Sequence, residues 1–571
     1  VIALTDLTLL LSLALAVLVV TPFIGRYMAA VMEGERTVLS PVLRPVERTV
    51  YRVCGIDEAS EQGWKGYAVA LLLFSLVGIL AMYAMLRLQD LLPLNPNASA
   101  AFSPELSFNT AISFETNTNW QNYSGEGASH LIQSTGLAVR NFTSAAAGIA
   151  IAVALIRGLV RRNALSIGNF WVDLTRSTLY ILLPIAVVGA IFLSWQGVTQ
   201  TFDGTATATT LQGAEQTIAR GPFASQEFIK ELGTNGGGPL NANSSHPFEN
   251  PNGLTNWVEM FAILIIPFGL TYTFGRMADD QRQGWAIFAA MAGVLVVGTV
   301  VAMSGETGGN PLFPAGVDQQ LGSMEGKELR FGSGAGGLWA AITTGTSTGA
   351  VNAMHDSFQP MAGLVPLFLM QLGEIAPGGV GAGLYGMLIL GSILSVFIAG
   401  LMVGRTPEYL GKKVEAFEMK MAMLVVIVLG ASILGFTAIA TVTAEGQAGP
   451  LNTGPHGFSE ILYAFSSQTG NNGSAFAGLT GNTPFYNTTG GLAMLIGRFA
   501  MIIPILAIAG SMAAKRRVAP SLGTFPTTGG MFIVLLIGVV IIVGALTYFP
   551  ALALGPIAEQ LLQNAGQVSL P

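Results

Sequence analysis

The chain has 571 residues, 51% of them hydrophobic and only 10% charged, where soluble domains carry roughly 25% charged residues. That balance excludes an ordinary soluble enzyme, and a net charge of −6 with no basic tract gives no sign of a nucleic-acid partner. A single cysteine, Cys54, excludes an intrachain disulfide framework and a cysteine-rich metal centre.

Apolar runs of bilayer-crossing length, about 20 residues, fall near 3–24, 66–88, 130–156, 174–195, 256–275, 284–303, 364–403, 420–442, 487–511 and 530–551. The first lacks a small-residue cleavage site and is read as a retained span rather than a signal peptide. The run 364–403 is too long for one helix and is interrupted at Ala376, Pro377, Gly378 and Gly379. It is read as one broken helix. With ten spans, the connections rich in Lys and Arg all fall on one side. These hold Arg26 to Lys65, Arg157 to Arg176, Arg276 with Arg282, Arg405 to Lys420, and Lys515 to Arg517.

Four stretches on the opposite side share one layout: FETNTNW (114–120), LGTNGGG (232–238), TGTSTGA (344–350) and QTGNNGS (468–474). With Asn119, Gly236, Gly349 and Gly473 in register, each follows Thr, Asn or Ser, and each closes an apolar run too short to cross. Such a run enters and returns. Irregular backbone at membrane depth is tolerated only where it is buried in protein or lines a wet cavity, so the loops at 103–126, 222–246, 333–352 and 456–476 are expected around one aqueous axis. The more polar stretches 197–255 and 304–332 are expected as caps.

The fold expected is an all-α polytopic membrane protein of about ten helices. An extra N-terminal helix (1–30) precedes four repeats of helix, re-entrant loop and helix at 64–160, 170–280, 283–405 (with the broken second helix) and 418–514, and a C-terminal helix follows at 528–553.

Rings of carbonyl oxygens replace the water shell of an alkali cation, and glycine lets the backbone turn those carbonyls inward. The loop cores carry no carboxylate, which favours a monovalent over a divalent ion. Glu115 and Glu126 flank the first loop and are expected to concentrate cations. Arg498, inside an apolar span, reads either as a structural partner of a helix carbonyl or of Glu374, or as a positive charge below the loops. Arg140 reads as a brace. The break around Glu374, Pro377, Gly378 and Gly379 reads as a packing kink or as an obstruction of the path. His130, His246, His355 and His456 show no metal-ligand spacing, and no phosphate loop or DKTG phosphorylation motif is present.

TNTNWQNYSGE from Thr116, LGTNGGGPLNANSSHPFENP from Leu232, AMHDSF from Ala353, GLMVGRTPEYLGKK from Gly400, NTGPHGFSE from Asn452 and NNGSAFAG from Asn471 resemble the potassium-translocating A subunits of Kdp-type potassium ATPases, over nearly the whole chain. The resemblance implies a K+ filter at Asn117, Thr118 and Asn119; Thr234, Asn235 and Gly236; Ser347, Thr348 and Gly349; and Asn471, Asn472 and Gly473. It implies a filter-adjacent role for Gln121, and gating or coupling roles for Arg498 and the segment with Glu374, Pro377, Gly378 and Gly379. It also implies a P-type ATPase partner that uses ATP, two small accessory subunits, surrounding lipid, and a bacterial inner membrane with the N-terminus and filter loops outside. The chain itself would hold no cofactor and no catalytic site. Four such loops also fit a self-contained potassium channel or uniporter driven by membrane potential, or a scaffold that retains unused loops.

Overall fold

The computed structural model describes residues 2–314, 316–402, 404, 406–519 and 524–567. Arg405 lies outside them. Among the described residues ten helices are long and apolar enough to cross a membrane. They are α1 (Leu4–Met32), α3 (Trp64–Arg87), α5 (Ile132–Val160), α6 (Phe170–Trp195), α8 (Gly253–Met277), α9 (Gln281–Thr307), α12 (Ala382–Met402), α13 (Ala416–Val442), α15 (Pro484–Ala514) and α16 (Gly530–Asn564). Each expected run lies on one of these, with 364–403 split into a short helix α11 (Pro360–Gln371) and α12. The helices overrun most of the expected edges by a few residues, because a helical turn continues into the polar interface until a cap or a glycine stops it.

Four shorter helices enter without crossing: α4 (Pro104–Glu115), α7 (Phe223–Leu232), α10 (Gly332–Gly345) and α14 (Gly454–Gly470). Ser103 starts α4 by accepting from the Leu106 N–H at 3.2 Å, with Pro104 in the first turn, where the missing N–H costs nothing. The pattern is therefore helix, re-entrant helix and loop, helix, four times over.

Close packing rests on small residues. A Cβ at Gly25 of α1 would lie 2.6 Å from the Gly269 carbonyl of α8, and the Thr273 hydroxyl donates to the Gly25 carbonyl at 2.9 Å. A Cβ at Gly158 of α5 would lie 2.5 Å from the Ala509 carbonyl of α15. Helix α5 is buried over most of its length and forms the centre of the bundle.

Two features were not expected. The connection after α1 contains an amphipathic helix, α2 (Ser40–Cys54), with Pro41 in its first turn and Gly55 at φ +66° beyond its end. Its buried Glu47 takes hydrogen bonds from Arg176 Nε (3.0 Å), Tyr51 (2.8 Å) and Tyr180 (2.8 Å). The cap at 197–255 carries a hairpin, β1 (Ala206–Thr209) paired antiparallel with β2 (Glu215–Ile218), and His130 holds this cap through the carbonyls of Phe202 and Arg220.

The basic connections meet in one layer. Arg157 pairs with Asp173 at 2.6 Å and donates to the Met32 carbonyl at 3.0 Å. The small hairpin β3 (Glu408–Tyr409) and β4 (Lys412–Lys413) inserts Lys412, fully buried, among the carbonyls of Gly158 (2.9 Å), Met512 (2.6 Å) and Arg161. One ammonium thus caps the carbonyl ends of α5 and α15, where the helix dipole favours a cation. Lys412→Met removes the ammonium from the Gly158 and Arg161 carbonyls and leaves the Met512 carbonyl only the Lys515 N–H (3.2 Å), at about 1–3 kcal/mol per buried unsatisfied group. The variant is expected to melt below wild type in detergent, and an unchanged melting temperature would show that the cap contributes nothing.

Candidate functional site: a ring of four re-entrant loops

The four loops repeat one backbone conformation. Asn117 (φ +66°), Thr234 (+46°), Ser347 (+55°) and Asn471 (+63°) occupy the left-handed region, and so do Asn119 (+55°), Gly236 (+90°), Gly349 (+96°) and Gly473 (+101°) two residues later. Alternating positive and negative φ turns successive carbonyls to the same side of the chain. Five of the eight positive-φ positions are not glycine, at about 1–2 kcal/mol each, and strain of this kind concentrates at functional sites.

The N–H groups show which way the chain faces. Thr118 and Asn119 donate to the Ser113 carbonyl (2.9 and 3.0 Å), and Asn235 and Gly236 to the Lys230 carbonyl (2.7 and 3.1 Å). Thr348 donates to the Thr343 carbonyl (3.0 Å) and Gly349 to the Thr343 hydroxyl (3.0 Å). Asn472 donates to the Ser467 carbonyl (2.8 Å) and Gly473 to the Ser467 hydroxyl (2.9 Å). Each re-entrant helix therefore absorbs the donors of its own loop. Among the described residues no donor engages the carbonyls of Thr118, Asn235, Thr348 and Asn472.

The loops close on one another in chain order. A Cβ on Gly237 would lie 2.7 Å from the Asn119 carbonyl, which seats loop two on loop one. A Cβ on Gly236 would overlap the Thr348 carbonyl, one on Gly349 the Asn472 carbonyl, and one on Gly473 the Thr118 carbonyl. Side chains lock three of these seams. Asn117 Nδ2 donates to the Thr234 carbonyl (2.8 Å), Ser347 Oγ to the Asn471 carbonyl (3.0 Å), and Asn471 Nδ2 to Thr118 Oγ1 (2.9 Å). The expected filter residues are thus brought together in one buried ring. Gln121 joins loops one and two beside it, accepting from the Gly238 N–H (3.0 Å) and donating to the Gly238 carbonyl (3.1 Å).

The segment between α11 and α12 lies against the other side of the ring. Gly378 donates to the Gly345 carbonyl at 2.7 Å, and Val380 donates to Thr234 Oγ1 at 3.0 Å. A Cβ on Gly379 would lie 3.1 Å from Thr234 Oγ1 and 3.2 Å from Ser347 Cβ, while one on Gly383 would overlap the Pro377 carbonyl. Glu374 is buried beside Gly470, and among the described residues neither of its carboxylate oxygens has a hydrogen-bond partner. Arg498 sits in a π-helical segment, Ile496–Ala500, and donates to the Ser144 carbonyl at 3.2 Å. Of the partners expected for it, the helix carbonyl is the one it has.

Glu115 corrects an expectation. It is 4% exposed and paired with Arg140 at 3.0 Å, so it braces α4 against α5 instead of drawing cations to a mouth. Glu126 is engaged as well, accepting from the Asn241 N–H at 3.0 Å. His355 is a brace too: burial and nearby Lys327 hold its imidazole down to about 3, and its Nδ1 lies 2.8 Å from the Tyr463 hydroxyl.

Sequence reasoning missed Lys230. It occupies the place in α7 that Ser113, Thr343 and Ser467 occupy in the other repeats, yet carries a fully buried ammonium among Glu227 (2.6 Å), Glu249 and Glu231 (3.8 Å). Its Nζ donates to Asn243 Oδ1 at 3.1 Å, and Asn243 Nδ2 donates to the Gly236 carbonyl at 2.7 Å. The signal was available in QEFIKEL, whose charges sit in a run too short to cross and too polar to face lipid.

In fold the chain is an integral membrane protein, with ten helices of crossing length among the described residues, similar to the potassium transporter TrkH from Vibrio parahaemolyticus. The TM-score is 0.53 at 15% identity, over 86% of this chain and 96% of that one. The model of the potassium-transporting ATPase A subunit family matches residues 11–561, and the chain belongs to that family. It is 58% identical to the potassium-transporting ATPase potassium-binding subunit of Methylobacterium nodulans, over 99% of this chain and 98% of that protein. It is 59% identical to the one from Granulibacter bethesdensis, over 97% of each.

Removing one partner of a buried ion pair costs about 3–5 kcal/mol. Lys230→Met is therefore expected to lower thermal stability far more than Lys327→Met at another buried pair, with Glu306 (2.6 Å), because three carboxylates lose their partner instead of one. Equal melting temperatures for the two variants would remove the cage from the support of loop two.

Proposed function

We propose that this chain binds and selects potassium at the outer face of the bacterial inner membrane and passes it inward as the channel-like subunit of an ATP-driven uptake complex. The observation that carries the reading is the fourfold backbone: eight residues at positive φ, with the donors bonded backwards and four carbonyls that meet no donor among the described residues, in a closed ring. Such a ring suits a cation that must exchange its water shell for oxygens and still leave, which a fixed carboxylate would hinder. The carbonyl ends of α4, α7, α10 and α14 lie one or two residues before the ring, so four helix dipoles add to the attraction.

In this reading Asn117 to Asn119, Thr234 to Gly236, Ser347 to Gly349 and Asn471 to Gly473 form the filter, and Gln121 fixes the seam between its first two walls. The segment with Glu374, Pro377, Gly378 and Gly379 obstructs the path below, and Arg498 discourages ions from resting there. The ATP is hydrolysed by a separate P-type ATPase subunit, accompanied by two small accessory subunits, as the names of the relatives and the lack of a phosphorylation motif in this chain support. The N-terminus and the filter loops face outside, following the excess of Lys and Arg on the opposite connections.

Purification from the native membrane tests the whole reading. A stoichiometric ATPase partner with potassium-stimulated hydrolysis is expected, and a chain that purifies alone and conducts potassium passively in liposomes would overturn it in favour of a channel. Gly236→Ala places a Cβ on the Thr348 carbonyl at a strained φ. It is expected to raise the potassium concentration for half-maximal transport at least about tenfold, the equivalent of 1.4 kcal/mol, or to relax selectivity over sodium; wild-type values for both would take Gly236 out of the filter. Arg498→Ala is expected to change leak or coupling while leaving selectivity intact, and normal turnover with normal tightness would reduce Arg498 to a strut.

A further inference from the structure

At the end of α14 remote from the ring, three elements meet around His456. Its Nε2 lies 2.9 Å from Asp356 Oδ1, in the chain that follows loop three, and its Nδ1 lies 2.8 Å from Glu559 Oε1 in the last turns of α16. Glu460, four residues on and so on the same face of α14, is 1% exposed. Asn452 Nδ2 donates to its Oε1 at 2.8 Å, while Oε2 has no partner among the described residues. Nitrogen and oxygen atoms of Asp356, His456 and Glu460 lie within 4.8 Å of one another.

The surroundings hold this group in place and leave it open on one side. The Asp356 N–H donates to the Phe476 carbonyl at 2.8 Å, and the Phe476 ring lies against the imidazole with centroids 6.0 Å apart. Gly478 makes room for the carboxylates, since a Cβ there would overlap Glu460 Oε1 and lie 2.8 Å from Asp356 Oδ1. Asp356 and His456 line a polar cavity of about 230 Å³ with Asn452, Gln359 and Gln563.

We propose that Asp356, His456 and Glu460 form a site for a borderline divalent cation of the Zn2+ type. One imidazole and two carboxylates are three ligands of the kind zinc takes, with the cavity supplying water at the fourth position. Calcium takes six to eight oxygens, which this group does not offer, and an imidazole ligand favours late first-row metals. Glu559 on Nδ1 completes the carboxylate, histidine, metal arrangement that fixes the ring and raises its basicity. Binding exchanges the hydrogen bond between His456 Nε2 and Asp356 for two metal bonds, and the Nε2 proton leaves to solvent. The ion would tie the exit of loop three to the helix that carries loop four, and through Glu559 to the end of α16.

The test uses the chain purified with whatever subunits accompany it, tag removed, stripped with chelator and titrated with ZnCl2 at pH 8 against a chromophoric competitor. One saturable equivalent per chain is expected beyond that of Glu460→Gln, with Glu559→Gln binding about 10–100-fold more weakly because it loses only the ring's outer partner. Equal zinc binding by wild type and a monodisperse Glu460→Gln variant would overturn the site, and so would saturable binding of Ca2+ with none of Zn2+. If Glu460→Gln does not fold, X-ray absorption on the zinc-loaded wild type decides. A shell with one imidazole and oxygens at about 2.0–2.2 Å is expected, and a sulfur or all-water shell would overturn the assignment.

Discussion

Everything in this molecule is arranged so that four short pieces of backbone adopt a conformation that L-residues avoid. Threonine, serine and asparagine at positive φ cost free energy locally, and they persist because each loop is held from behind by its own helix and from the side by the next loop. The N–H groups are spent on Ser113, Lys230, Thr343 and Ser467, so the carbonyls have only the ring to face. At the seams a missing Cβ lets a neighbouring carbonyl approach within contact distance. Closure and strain depend on each other: without the neighbour there is nothing to press against, and without the left-handed residue there is nothing to present.

The same constraint explains the buried charge. Irregular backbone at membrane depth has no water to satisfy it, so the supports of the loops are polar and those polar groups must in turn be paired. Arg140 with Glu115 holds the first re-entrant helix, and Lys230 with its glutamates holds the second while reaching Gly236 through Asn243. Arg498 completes the layer below by donating to the Ser144 carbonyl, one residue of α5 whose hydroxyl also donates to Asn117 Oδ1 at 2.7 Å. The broken segment then fits under the ring because Gly378, Gly379 and Gly381 bring bare backbone against Gly345, Thr234 and Gly148.

Much of this was legible in the chain because hydropathy and small-residue punctuation are local signals. The ten runs, the four half-length helices and the break at Pro377 follow from run length and from Gly and Pro alone, and the layer of Arg157, Arg176 and Lys412 from charge bias. What was misread shared one cause, that a charge was judged by its place in the sequence. Glu115 stands next to a loop and looked free, yet the helix turns it toward Arg140. The partners of His456 could not be read from the chain because they lie 100 and 103 residues away. The helix at Ser40–Cys54 was hidden because Arg44, Arg48 and Arg52 read as a solvated connection.

The sequence by itself determined that the chain crosses a membrane about ten times, that four loops of one design share a side, and that those loops are built from residues offering neutral oxygens. These follow from transfer free energy and backbone freedom, which are properties of short segments. Only the tertiary structure decided which carbonyls are left without donors, which loop seats on which, and where the buried charges find partners. Those are matters of contact between segments more than a hundred residues apart, and a linear pattern carries no distance between them.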